Sequence, residues 1–140
     1  MQPRWPPWVG RESVRIRTRR VGARGGTSMH GMSTPFETTE PTRADIEARR
    51  GPLLLEFGSP MCGFCRRAQP HVEEALAAHP GVPHVKVYDG PGQPLGRSFR
   101  VKLWPTLVFL RDGVEQARAV RPQSASEVAE GLSKLASHSG

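Results

Sequence analysis

Two stretches of this 140-residue chain carry apolar residues almost without interruption, which is typical of strands buried on both faces. They are residues 53–57, with one acid among four apolar residues, and residues 106–110. Residues 82–88 alternate between apolar and polar positions, and residues 114–120 follow the hairpin signal Asp112-Gly113. The pattern therefore predicts four strands, and the two most apolar strands should lie at the centre of the sheet.

Helical signals occur between and around these strands. Residues 41–50 and 94–101 are predicted to be short helices, and residues 63–79 a longer helix that contains a proline. The last helix begins at a capping box, residues 124–127, and continues with apolar residues at helical spacing. The element order α-β-α-β-α-β-β-α predicts an α/β fold with helices on both faces of the sheet.

Charge is distributed unevenly along the chain. The net charge is +7, but residues 1–28 contain seven arginines and one acid and so account for +6 of it. The other 112 residues, with 13 basic and 12 acidic side chains, are close to neutral. Few apolar residues interrupt the basic segment, and they follow no period. We therefore expect residues 1–38 to be a disordered Arg-rich extension and residues 39–138 to be the folded domain.

The basic segment and the lengths of the apolar runs indicate which partners and which location to expect. An RNA-associated protein is one interpretation, but nucleic-acid binding would depend on residues 1–28 alone, and we do not expect it. The chain has no apolar run long enough for a secretory signal or a membrane span, so we expect no membrane partner and a cytoplasmic location.

Cys62 and Cys65 are the only cysteines, and they stand one helical turn apart where a strand gives way to a helix. Two thiols at this spacing can close a disulfide with little backbone movement. The positive end of the helix dipole should also help the first thiol to ionise. A structural zinc site is the alternative, but it needs four ligands. A cysteine hydrolase with His71 as base is another, but His71 lies on a different part of the helix. The spacing favours a reversible dithiol–disulfide couple.

Residues 41–137 resemble the thioredoxin family in five features that occur in the right order. The sequence Cys62-Gly63-Phe64-Cys65 matches the family's C-x-x-C motif. Glu56 lies six residues before Cys62, where the family has a buried acid, and Pro70 lies eight residues after it, where the family has a proline in the helix. Trp104-Pro105-Thr106 matches the cis-proline loop, and Asp112-Gly113 matches the late hairpin. The resemblance implies a thioredoxin fold, with a central mixed four-stranded sheet between two layers of helices.

The resemblance also implies roles for the catalytic residues. Cys62 would attack a partner's disulfide, and Cys65 would resolve the mixed disulfide that results. Glu56 would be buried beneath the dithiol, with a raised pKa, and would take the proton from Cys65. The alternative for Glu56 is a solvated position at the edge of the sheet.

Residues around the dithiol are expected to bind the substrate. If the Trp104–Pro105 bond is cis, as in the family, the loop of Trp104, Pro105 and Thr106 faces the dithiol and can pair with an extended peptide. Met61, Gly63 and Phe64 should line the same groove. Met61 replaces a tryptophan and Phe64 a proline that are common in the family, so partner choice should differ.

We therefore expect a monomeric protein-disulfide oxidoreductase that serves redox homeostasis and electron transport. Its partners would be proteins with disulfides and an external reductase, and we expect neither a cofactor nor a metal. The alternative is a thioredoxin-fold module that binds partner peptides with little redox turnover.

Overall fold

The computed structural model describes residues 34–37 and 39–136. The predicted disorder of residues 1–33 and the last residues of the predicted domain lie outside this part of the chain. In chain order the elements are β1 (Phe36–Glu37), α1 (Arg43–Ala48), β2 (Pro52–Gly58), α2 (Gly63–Ala77), β3 (His84–Tyr88), α3 (Leu95–Ser98), β4 (Thr106–Arg111), β5 (Val114–Val120) and α4 (Ala125–Ala136).

The strands form one mixed sheet in the order β1-β3-β2-β4-β5. Strand β2 pairs parallel with β3 and antiparallel with β4, and β4 continues through the hairpin into antiparallel β5. The two most apolar strands, β2 and β4, are neighbours inside the sheet, so the thioredoxin fold and the central position of these strands are confirmed.

The sheet has five strands among the described residues, one more than the four that were predicted. Strand β1 consists of Phe36 and Glu37 and pairs in parallel with β3 at the sheet edge. It falls within residues 1–38, which were predicted to be disordered, so that prediction is wrong for Phe36 and Glu37. A two-residue strand is too short to show a period, and Phe36 is held by a contact that sequence does not reveal: its ring centroid lies 4.5 Å from Lys86 Nζ.

Alternation along β2 divides the core into two layers. Leu53, Leu55 and Phe57 pack with apolar residues of α1 and α3 on one face. Leu54 packs on the other face with residues of α2 and α4. Because side chains alternate along a strand, Glu56 projects on the same face as Leu54, towards α2.

The loop after β2 leads directly into α2, and this connection positions the cysteines. Cys62 is the N-cap of α2 and Cys65 lies in its first turn. The helix continues through Pro70 to Ala77. Among the described residues, no helix has the length and apolar character needed to cross a bilayer.

Candidate functional site

Cys62 lies at the N-terminus of α2 with its sulfur directed at the helix. Its extended backbone makes it the N-cap, and its Sγ accepts a hydrogen bond from the backbone N–H of Cys65 at 3.2 Å. The loop is fixed by a backbone hydrogen bond from Cys62 N to Ser59 O at 3.1 Å. Cys62 is partly exposed, so a partner can reach the sulfur, which lies at the N-terminus of α2 beside this N–H.

Cys65 is 5% exposed, one turn further along α2, and its thiol is not ionised at neutral pH. Burial, a hydrogen bond with Cys62 and the nearby charges of Cys62 and Glu56 raise its pKa to about 12, against a lowering by the backbone of Ser59. Its sulfur rests on Gly58, where an added Cβ would lie 2.6 Å from Sγ. The two cysteines thus form a dithiol with one accessible and one protected sulfur, as predicted.

Glu56 is buried beneath the dithiol, with 2% of its surface exposed, so the solvated-edge alternative is wrong. The expected rise of its pKa is also wrong. Burial raises the pKa, but the hydrogen bond from His84 and the charges of His84 and Lys86 outweigh burial and lower it. The His84 Nε2 to Glu56 Oε1 distance is 2.8 Å. Glu56 is therefore held as a carboxylate.

The residues that hold Glu56 could not be identified from the sequence pattern. His84 and Lys86 alternate with Val85 and Val87 along β3, and the alternation alone assigned no role to either side chain. In the parallel register Glu56 lies opposite Lys86, whose side chain is buried, and the second ring nitrogen of His84 lies 3.0 Å from Thr34 Oγ1. A short polar chain therefore runs from Thr34 through His84 to Glu56.

A cavity of about 260 Å³ adjoins this chain on the side of α2. Its lining includes Thr34, Glu56 and His84, together with Lys86 and a second carboxylate, Glu73. The Glu73 carboxylate is exposed and accepts a hydrogen bond from Gln69 at 3.0 Å. The cavity gives water a route to the buried acid.

A second cleft, of about 460 Å³, opens beside Cys62. Its walls include Met61, Gly63, Phe64 and Trp104, four of the residues predicted to bind substrate. Met61 is 82% exposed and Phe64 is 45% exposed, so both offer apolar surface to a partner. The Trp104 indole N–H donates to Asp89 Oδ2 at 2.9 Å, which fixes the ring at the rim.

The cis-proline loop faces the cleft, but not through all the predicted side chains. The Trp104–Pro105 bond is cis. Pro105 is buried, and Thr106 is 1% exposed with its hydroxyl donating to Leu103 O at 2.6 Å. The Thr106 side chain therefore does not line the cleft, because it satisfies its hydroxyl within the loop.

Two basic residues of the cleft were also missed, Lys102 and Arg121. Arg121 directly follows β5, and its Nε donates to Trp104 O at 2.7 Å. Its guanidinium carbon lies 3.6 Å from the centroid of the Phe64 ring. The pairing of β4 with β5, which places Thr106 opposite Val120, brings Arg121 to this loop. The sequence alone does not reveal that register, so it could not predict the position of Arg121.

The described residues contain no group of three or more His, Cys, Asp or Glu side chains close enough to hold a metal ion. Within residues 34–37 and 39–136, Cys62 and Cys65 have no further such ligands beside them, whereas a structural zinc site needs four.

The thioredoxin family model matches residues 35–134. Protein disulfide-isomerase A2 of Pongo abelii is 40% identical over 86 residues, which cover 57% of this chain and 16% of that protein. Protein disulfide-isomerase A3 of Gallus gallus is 34% identical over 105 residues, which cover 71% of this chain and 21% of that protein. The chain thus spans about a fifth of the length of these curated relatives.

A solved structure covers the domain more completely. The reduced form of thioredoxin 2 from Pseudomonas aeruginosa PAO1 is 52% identical, with a TM-score of 0.68, and the match covers 74% of this chain and 96% of that one. The thioredoxin of Fasciola hepatica is 26% identical with a TM-score of 0.56, over 66% of this chain and 92% of that one.

Proposed function

Because the chain belongs to the thioredoxin family, we propose that it is a thiol–disulfide oxidoreductase that reduces disulfide bonds in partner proteins. The observation that carries this proposal is the asymmetry of the dithiol. Cys62 is accessible at a helix N-terminus, whereas Cys65 is buried behind it with a pKa of about 12. One sulfur is thus arranged to attack, and the other is protected until the first has reacted.

In the first step the thiolate of Cys62 attacks one sulfur of the partner's disulfide. A bond forms between Cys62 Sγ and that sulfur, and the partner's second sulfur leaves as a thiolate and takes up a proton. The backbone N–H of Cys65 faces the attacking sulfur, and the apolar surfaces of Met61 and Phe64 are available to the partner segment.

In the second step Cys65 loses its proton and attacks Cys62 Sγ. This forms the Cys62–Cys65 disulfide and releases the partner's remaining sulfur as a thiol, so that two electrons have passed to the partner. Glu56 is an ionised carboxylate on the same face of β2 as Gly58, on which the Cys65 sulfur rests. As a carboxylate Glu56 can accept the Cys65 proton, and because its lowered pKa makes it a weak base it passes that proton on to water at the adjoining cavity. An external reductase must then return two electrons.

The test is the reduction of insulin by the full chain with dithiothreitol as donor. We expect turnover by the wild type and none by Cys62→Ser, whose hydroxyl keeps an acceptor for the Cys65 N–H. Mixed with insulin after dithiothreitol has been removed, the pre-reduced Cys65→Ser variant should accumulate the mixed disulfide, visible as a mass adduct. A wild type that binds the substrate but does not accelerate its reduction would instead support the alternative of a peptide-binding module. The cytoplasmic location and monomeric state stay predictions.

A further inference from the structure

The part of the cleft beside Cys62 that the described residues form carries two positive charges and no carboxylate. Lys102 and Arg121 belong to its lining, which contains no carboxylate among the described residues. The ion pairs Arg43–Glu47, His84–Glu56 and Arg118–Glu115 occur among residues 34–37 and 39–136, and none of them involves Lys102 or Arg121. Unpaired cations next to a reactive sulfur call for an anionic ligand.

Arg121 is held in a defined orientation. Its Nε is occupied by Trp104 O, and its guanidinium lies over the Phe64 ring at 3.6 Å. No hydrogen bond within the described part of the chain uses the terminal guanidinium nitrogens of Arg121, which lines the cleft. A guanidinium fixed in this way loses little conformational entropy when it binds a carboxylate.

Two further charged residues near the cleft, Arg67 and Asp89, leave its positive charge in excess. A third cation, Arg67, lies 4.9 Å from the Phe64 ring centroid. A carboxylate near the cleft, Asp89, is already engaged, because it accepts the Trp104 indole N–H and packs against Gly96. The surface around Cys62 is thus cationic, with apolar contacts from Met61 and Phe64.

From this geometry we propose that Arg121 and Lys102 form a carboxylate-binding subsite next to Cys62, which selects protein disulfides flanked by Asp or Glu. This inference rests on the proposed reductase function and names its substrate class. The apolar rim fits an extended protein segment, and the cations then bind its acidic side chains. The subsite speeds the association of an acidic segment with the cleft and helps to orient it beside Cys62. The preference for acidic segments should therefore weaken with salt.

The experiment uses the pre-reduced full chain and single-turnover kinetics, so that no reductase is needed. Three fluorogenic disulfide peptides differ only in the two residues next to one cysteine, which are Glu, Gln or Lys. We expect the Glu peptide to react about fivefold to tenfold faster than the Gln peptide, because an exposed ion pair contributes up to about fivefold and two pairs act together. The Lys peptide should react more slowly than the Gln peptide, and 0.5 M NaCl should reduce the spread.

Variants assign the preference to the subsite. The ratio of Glu to Gln rates should fall towards one in Arg121→Gln and in Lys102→Gln, and Arg121→Lys should retain part of it. Lys102 is exposed and without a partner in the described part of the chain, so Lys102→Gln stays informative if Arg121→Gln does not fold. The matched control is Arg50→Gln, which removes one positive charge at the opposite end of β2 and should leave both rates unchanged.

The outcomes separate this inference from the proposed function. Equal rates for the three peptides, or a preference that survives in Lys102→Gln and Arg121→Gln, would overturn the subsite while leaving the reductase intact. Failure to reduce any peptide would overturn the proposed function itself. Faster reduction of glutathione disulfide than of the Glu peptide would overturn the choice of a protein segment, because it would identify a small anionic disulfide as the better fit.

Discussion

Glu56→Gln should have opposite effects on stability depending on whether residue 84 is histidine or leucine. In the wild type Glu56 is paired with His84 at 2.8 Å and its pKa is lowered. The hydrogen-bonded Glu56 carboxylate therefore contributes stability above the unfolded pKa of glutamate, and this contribution is lost as pH falls through the lowered folded pKa. Glu56→Gln should accordingly destabilise the wild type at pH 7.

His84→Leu reverses the sign of the effect. The Glu56 side chain is 3% exposed, so removal of its partner leaves a carboxylate without adequate solvation. The folded pKa then rises above the unfolded one, and stability is lost as pH increases from the unfolded value of about 4.3. The penalty cannot exceed the cost of protonating the carboxyl, which is about 3.7 kcal/mol at pH 7 and about 1 kcal/mol at pH 5. Because Lys86 remains nearby, we expect about 1–3 kcal/mol at pH 7.

The assay is urea unfolding of four reduced proteins, followed by circular dichroism at pH 5 and pH 7. The proteins are the wild type, Glu56→Gln, His84→Leu and the double variant. Comparison of the double variant with His84→Leu gives the effect of the Glu56 carboxyl on the free energy of unfolding, because neither protein contains His84. Glu56→Gln should stabilise the His84→Leu protein at pH 7 and have little effect at pH 5.

The matched control is His79→Leu. His79 is also half-buried, but its ring hydrogen-bonds to Ala75 O instead of a carboxylate. Glu56→Gln should therefore have the same effect in the His79→Leu protein as in the wild type. The reasoning is refuted if Glu56→Gln changes the stability of His84→Leu equally at pH 5 and pH 7, since the effect would then be one of packing and not of charge.

Three further predictions concern the dithiol and the core glycines. Iodoacetamide at pH 8 should modify Cys62 and spare Cys65 in the folded reduced protein, because with a pKa of about 12 only about one Cys65 thiol in ten thousand is ionised; mass spectrometry after short exposure should show a single adduct. Gly58→Ala should cost about 1–3 kcal/mol in urea unfolding, because its Cβ would meet Cys65 Sγ at 2.6 Å. Gly131→Ala should also destabilise, despite a gain in helix propensity of about 1 kcal/mol, because its Cβ would lie 2.4 Å from the buried Phe109 ring.

Each of these predictions has a result that contradicts it. Equal labelling of both cysteines would show that Cys65 is neither buried nor held as the thiol. Gly81→Ala is the control for the glycine variants, since nothing lies within 4 Å of its added Cβ and its stability should change by less than about 0.5 kcal/mol. If Gly58→Ala or Gly131→Ala were as stable as Gly81→Ala, the close contacts would not constrain the core.

Strands and their faces could be predicted wherever the sequence carried a period. Residues 114–120 were predicted as a strand with the bounds that β5 has, and the long helix was predicted to begin at Gly63, where α2 begins. The ends of β3 and α3 were predicted too far out, because the flanking Val82 and Val101 are apolar residues that pack against the core from outside the elements. Strand β1 was missed because its pairing with β3 and the contact of Phe36 with Lys86 are both long-range.

The candidate site was predictable where it lies close together in sequence, and less so elsewhere. The positions of Cys62 and Cys65 followed from their spacing at a helix start, and burial of Glu56 followed from the apolar strand around it. The direction of its pKa did not follow, because His84 is 28 residues away and meets Glu56 only through the register of β2 and β3. The cationic lining of the cleft was missed for the same reason, since Arg121 reaches Phe64 only through the folded sheet.

The short edge strand has a consequence for where the domain can be cut. A chain that starts after residue 38 keeps the helices α1 to α4 and the strands β2 to β5, but it loses Thr34 and Phe36. Water would then hydrate His84 and Lys86 directly, and its high dielectric constant would weaken their attraction for Glu56. Such a truncated protein would retain both cysteines and the fold around them. Its proposed proton acceptor, Glu56, would however lie in a more hydrated environment when Cys65 loses its proton.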